Sequence, residues 1–197
     1  KPPWETTAAK WWAKERKPIA ILQIAAANGQ RVPYFGARDI VELSGRNTLV
    51  FATICREVWT EWLSKLPSDE PSLPRLDKSL PQGLQVNGIR TAAVQWFEKI
   101  PANPNGDTLL RLVKTIAHHL RHQLRTDKKM SYPGGNGISL KIDDLAEHED
   151  LRQLLADAVA TGNLQHFPHT SKNSGSEVRE KWYLLPILSV FFGVTIP

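Results

Sequence analysis

Apolar residues recur at three- and four-residue steps through several stretches of the chain, the spacing of a helix that turns one face into a core. From about Asn47 to Lys65, Val50, Phe51, Ile54, Val58 and Trp62 keep this step, which predicts a helix with Cys55 on its core face. Ahead of it, Ala8 to Ala27 is rich in Ala, Lys and Glu and is interrupted by Pro18. A helical segment is predicted there, stopped at Asn28-Gly29.

Between Pro67 and Pro81 the pattern breaks. "PSDEPSLPRLDKSLP" carries four prolines and can be neither a continuous helix nor a central strand. It divides the chain into a helical region over 1–66, a linker over 67–81 and a second helical unit over 82–197. The periodicity resumes at about Val86 to Lys99, with Ile89, Ala93, Trp96 and Phe97 on one face, and "PANPNGD" ends it. A long helix from Asp107, read as its cap, to about Thr126 places Leu109, Leu112, Val113, Ile116, Leu120 and Leu124 inward.

The order of the remaining segments is informative. A turn-rich "SYPGGNG" leads into a short apolar "ISLKI", a brief acidic turn, and a helix from Asp150 to Thr161 with Leu151, Leu154, Leu155, Ala158 and Val159 inward. "NLQHF" and "KWYLL" then flank a Ser/Asn/Gly-rich tip. Helix, strand, helix, helix and a strand pair around a polar tip is the winged-helix plan, a relative of the helix-turn-helix. The expected fold is mainly α, with a small β-hairpin in the winged helix.

Composition supports an ordered chain: 41% of its residues are hydrophobic and 23% charged, and seven are Trp. One cysteine excludes an internal disulfide and fits a reducing, cytoplasmic setting. The longest apolar run, "WYLLPILSVFFGV", is too short for a bilayer span and holds Pro186, so no membrane partner is expected. The chain starts on Lys1 rather than Met and is expected to be the C-terminal piece of something longer. The net charge of +5 is segmented. Residues 107–142 hold seven basic and two acidic side chains, whereas 143–163 hold one basic and six acidic.

Several stretches resemble a known family. "YFGARDIVELSGRNTLVFATICREVW" is similar to the lid of AAA+ ATPases of the bacterial ORC/CDC6-like group. "MSYPGGNGISL", "LLADAVATGNL" and "REKWYLLPILSVFFG" resemble the C-terminal winged-helix region of the same group. The resemblance runs over most of the chain from about Pro18. It implies an AAA+ type helical lid bundle followed by a winged-helix domain, in a parent that uses ATP and Mg and serves genome maintenance or defence against phage. It also implies that the turn Ser44, Gly45, Arg46, Asn47 senses nucleotide through Arg46. An arginine at a helix start offers a fork of donors where free N–H groups already favour phosphate. Related lids carry their sensing arginine two residues after the asparagine, where this chain has Leu49. Arg46 then acts from the preceding turn, or it is a solvated residue of a capped helix.

The residues limit what the chain does alone. G-x-x-x-x-G-K-[ST] occurs nowhere, and no apolar strand ends in the acidic pair that holds Mg, so the chain by itself is expected neither to bind a cofactor nor to hydrolyse ATP. In "HHLRH", His118 and His122 share a helix face, but His119 stands where the zinc protease pattern has Glu. No G-x-S-x-G frames a nucleophile. The better candidate is double-stranded DNA: Arg111, Lys114, Arg121 and Arg125 recur opposite the apolar face of the long helix, and Lys128 and Lys129 extend the row. Lys172, Arg179 and Lys181 supply a second basic group around the wing, whereas the expected recognition helix carries Glu149, Asp150 and Asp157 against Arg152. The alternative is a non-enzymatic protein-interaction or regulatory module of a signal-transducing ATPase, meeting the ATPase core or another protein.

Overall fold

The computed structural model describes residues 17, 19–66, 79–127, 136–169 and 179–196. The N-terminal part of the helix expected from Ala8, most of the Pro-rich linker, Lys128, Lys129 and Lys172 lie outside the described residues.

Residues 19–27 form helix α1, which stops at the Asn28-Gly29 turn as its sequence predicts. Helix α2, Gly36–Ser44, was not signalled by the apolar pattern. Its first N–H group donates to Gln85 Oε1 at 2.8 Å, and the Phe35 N–H donates to Asp39 Oδ2 at 3.0 Å. Helix α3, Thr48–Leu63, follows a tight turn and packs along α4, Gln82–Glu98, in the most extensive helix pairing of the fold. Gly88 makes this approach possible. A Cβ there would lie 2.5 Å from the Val58 Cα and 2.6 Å from its N, so only hydrogen fits between the two backbones.

The pairing corrects the sequence reading of α3. Val50, Thr53, Ile54, Glu57 and Val58 are buried, while Phe51 and Cys55 are exposed. Phe51 and Cys55 sit one step of about 100° from Val50 and Ile54 around the helix, and α4 covers only the latter side. Glu57, buried at 8% exposure, is held by Arg56 at 2.8 Å, and Arg56 also reaches Gln95 Oε1 of α4 at 2.9 Å. Partial burial pushes the Cys55 thiol above its usual range, which makes it a poorer nucleophile.

A short 3-10 turn, Ile100–Ala102, leads to α5, Gly106–Thr126. Asp107 does not cap α5; the residue before the helix is Asn105, in the left-handed region at φ 56, and Asp107 sits in the first turn. Strand β1, Gly137–Lys141, is followed by α6, Ile142–Glu147, so the expected acidic turn is a short helix. Helix α7, Glu149–Ala160, and strands β2, Leu164–His169, and β3, Arg179–Leu184, complete the predicted order. The sheet is three-stranded in the order β1-β3-β2, both pairs antiparallel, so β1 joins the expected hairpin. Helix, strand, two helices and two strands with the last strand central is a winged-helix-like arrangement. Helix α8, Pro186–Phe192, then returns to the bundle, where Phe97 stacks on Phe191 with centroids 4.1 Å apart.

One core joins the two sides of the Pro-rich segment. Leu43, Ile54, Ile89 and Trp96 belong to the same buried cluster as Leu109, Leu120, Leu155, Leu184 and Leu188. The Trp96 Nε1–H donates to the Gly162 carbonyl at 3.2 Å, tying α4 to the turn after α7.

Candidate nucleic-acid interface and the Arg46 turn

The turn between α2 and α3 is built by its own four residues. Ser44 Oγ donates to the Val41 carbonyl at 2.6 Å, and Gly45, left-handed at φ 56, donates its N–H to the Glu42 carbonyl at 3.1 Å. Arg46 is also left-handed, at φ 63, which costs a residue with a Cβ about 1–2 kcal/mol. Asn47 caps α3: its Oδ1 accepts from the N–H groups of Leu49 at 3.0 Å and Val50 at 3.2 Å. The donors that the resemblance offered to a phosphate are thus partly used by the cap.

The wing holds this turn from the other side. Gln165 of β2 donates its Nε2–H to the Gly45 carbonyl at 2.6 Å. A Cβ on Gly45 would lie 2.7 Å from Pro186 Cδ and 2.8 Å from Gln165 Nε2, so glycine is required by space as well as by φ. Arg46 is exposed and makes no hydrogen bond or ion pair among the described residues. Its side chain helps line a cavity of about 550 Å³ with Glu42, Gln165, Phe167, Tyr183 and Ile196.

Strand alternation gives the sheet two faces. Leu164, Trp182 and Leu184 are buried in the core. On the other face Gln165 stands opposite Tyr183, Phe167 and Ser139 flank Lys181, and Lys141 stands opposite Arg179. Phe167 and Tyr183 meet edge to face at 5.5 Å, and Lys181 Nζ lies 4.7 Å from the Tyr183 ring centroid while donating to Asn136 Oδ1 at 3.1 Å. The wing cations Arg179 and Lys181 therefore share a face with two aromatic rings, and that face runs toward Arg46. Sequence reasoning missed Lys141, Phe167, Tyr183 and Gln165. Their odd-numbered alternation with Lys181 was a usable signal once the strands were known.

The row on α5 is less uniform than its spacing suggested. Arg111 and Lys114 are exposed, the latter with Nζ 5.7 Å from the Phe97 ring centroid. Arg121 is half-buried. Arg125 donates to the Ala26 carbonyl through Nε at 3.4 Å and a terminal nitrogen at 3.3 Å, so it closes the end of α1. His118, His119 and His122 are exposed, and no group of three or more His, Cys, Asp or Glu side chains gathers for a metal among the described residues. On α7, Arg152 forms a two-pronged pair with Glu149 at 2.6 and 2.8 Å, which holds the Glu149 carboxyl below its usual range.

The connectivity and this surface together define a helical bundle joined to a winged-helix-like unit. The ORC-CDC6-like family model matches residues 10–196, and the chain belongs to that family, which is related to AAA+ ATPases. No curated protein matches the chain, and no solved structure does. No helix among the described residues is long and apolar enough to cross a membrane.

Proposed function

We propose that the chain is the nucleotide-sensing lid and the DNA-contacting wing of an ORC/CDC6-like AAA+ ATPase, working in genome maintenance or phage defence in the cytoplasm. The observation that carries this reading is the hydrogen bond from Gln165 to the Gly45 carbonyl, which locks the Arg46 turn to the basic, aromatic face of the wing sheet. A change in nucleotide state felt at Arg46 then shifts the same rigid unit that presents Lys141, Arg179 and Lys181 to a phosphate backbone.

These residues do not make an ATP site by themselves. The chain has no phosphate loop, and Arg46 shares its cavity with the Glu42 carboxylate, which opposes a bare polyphosphate. ATP and Mg belong, on this reading, to a P-loop core outside these 197 residues, with Arg46 contributing one contact.

DNA contact is electrostatic and directed at the backbone, because α7 carries Glu149, Asp150 and Asp157 where base-reading side chains would stand. A salt titration of duplex binding tests it. Each lost phosphate contact should reduce the slope of log K against log salt by about 0.9. Replacing Arg179 and Lys181 with Ala should flatten the slope for every duplex sequence, and replacing Arg111 and Lys114 tests the α5 face in the same way. Slopes unchanged in both double variants would sink the DNA reading. The acidic face of α7 then favours the second reading, a protein-interaction module whose partner is basic.

A further inference from the structure

We infer that the cavity between the Arg46 turn and the wing sheet takes one unpaired nucleotide of a DNA strand, and this rests on the reading of the wing as a DNA contact. It is an open cleft, and its volume of about 550 Å³ lies within the range of clefts that hold one small ligand. A duplex keeps its bases paired and stacked inside, and has nothing to place in such a space; an unpaired base does.

The lining fits the two halves of a nucleotide. Phe167 is 40% exposed and stands edge to face with Tyr183 at 5.5 Å, which leaves an aromatic corner on which a base can stack. Arg46, without a partner among the described residues, supplies donors for the attached phosphate. Lys181, 4.7 Å from the Tyr183 ring centroid, adds positive charge on the sheet side. Glu42 accepts only, whereas Gln165, with one of its two amide hydrogens on Gly45, keeps a donor and an acceptor, so the Glu42 oxygens are the groups of fixed sense at the base edge. Acceptors at that edge favour bases with an exocyclic amine over thymine. The strained φ of Arg46 fits this use, because a left-handed turn position without a function for its side chain is met at lower cost by glycine.

The test compares, by fluorescence anisotropy at low salt, the full 197-residue chain on a blunt duplex and on the same duplex with a short adenine overhang of either polarity. The overhang should bind about fivefold tighter or more, and a thymine overhang should gain less. Phe167→Ala should remove the gain, measured as the ratio of overhang to blunt-duplex affinity in the same variant, while Phe167→Tyr, which keeps a ring, should retain it; near-ultraviolet circular dichroism establishes that both are folded. Blunt duplex bound with no gain from any overhang overturns this inference and leaves the DNA reading standing. Loss of all DNA binding by the unaltered chain overturns both. Competition by AMP at the affinity of the overhang assigns the cavity to a free mononucleotide and overturns the strand as its ligand.

Discussion

At Arg46, two demands meet in one residue. The turn asks for a left-handed backbone, which glycine meets best, and the side chain lines a cavity that needs a cation. Arg46→Gly should therefore leave the fold unchanged or raise its stability by up to about 1 kcal/mol, since relief of the left-handed strain outweighs the added freedom of the unfolded chain. Nucleic-acid affinity should fall in the same variant. A thermal melt beside a binding titration checks the opposed signs; a clear loss of stability would mean that the side chain holds the turn. Tyr34 gives a second test at this scale. Burial, then the charges of Asp39 and Glu42, push its hydroxyl up to about 12 from an ordinary value of 10.0. The folded state thus holds the proton longer than the unfolded one, so its stabilising contribution is complete below about pH 10 and is lost as pH rises toward about 12. Urea melts across this window should show a steeper alkaline loss in the unaltered chain than in Tyr34→Phe.

Among the elements, α4 offers a comparison within one helix. Gly88 faces the Val58 backbone, whereas a Cβ at Gly83 meets nothing within 4 Å. Gly88→Ala should destabilise by about 1–3 kcal/mol through overpacking, even after the gain in helix propensity. Gly83→Ala should be neutral or stabilise by up to about 1 kcal/mol. Denaturation midpoints that move the same way in both variants would contradict the close approach of α3 and α4. The same elements show what could be read from the sequence and why. The extents of α5 and α7 were legible because each has one apolar face and one polar face, and that of α3 because its apolar residues keep three- and four-residue steps between Asn47 and the Pro-rich break, although apolar side chains such as Leu49 and Phe51 also stand on its exposed side. Helix α8 was not, because Ile187, Leu188, Ser189, Val190 and Phe192 are all buried, and a helix surrounded by core shows no period. Cys55 was misplaced because Phe51 and Trp62 extended the apolar stripe past the side that α4 covers. Of the candidate site, the cations were visible by type, but Phe167, Tyr183 and Gln165 join Arg46 only through a sheet register that local sequence does not contain. Arg125 looked like part of a phosphate-tracking row, since nothing near it announces the Ala26 carbonyl 99 residues away.

Among the described residues, the molecule is closed by contacts between the turn after α2 and the last strands and helix. The core runs without interruption from Leu43 to Val194, so the Pro-rich segment separates two stretches of sequence but not two cores. Membership of the ORC-CDC6-like family relates this core to AAA+ ATPases, and the cavity proposed for a nucleotide takes one wall from each stretch, Arg46 from the first and the wing sheet from the second. Gln165 reaches Gly45 across 120 residues, and Pro186 and Leu185 close over the same glycine from farther still. During synthesis, α2 and α3 leave the ribosome long before the groups that hold the turn between them. Their cap hydrogen bonds are local and can form at once, whereas the cavity wall arrives with β2, β3 and α8. Within these residues the Arg46 turn is therefore made well before the strands that finish it, and a nascent or truncated chain lacking those strands carries Arg46 and its capped helix without the wall that turns them into a site.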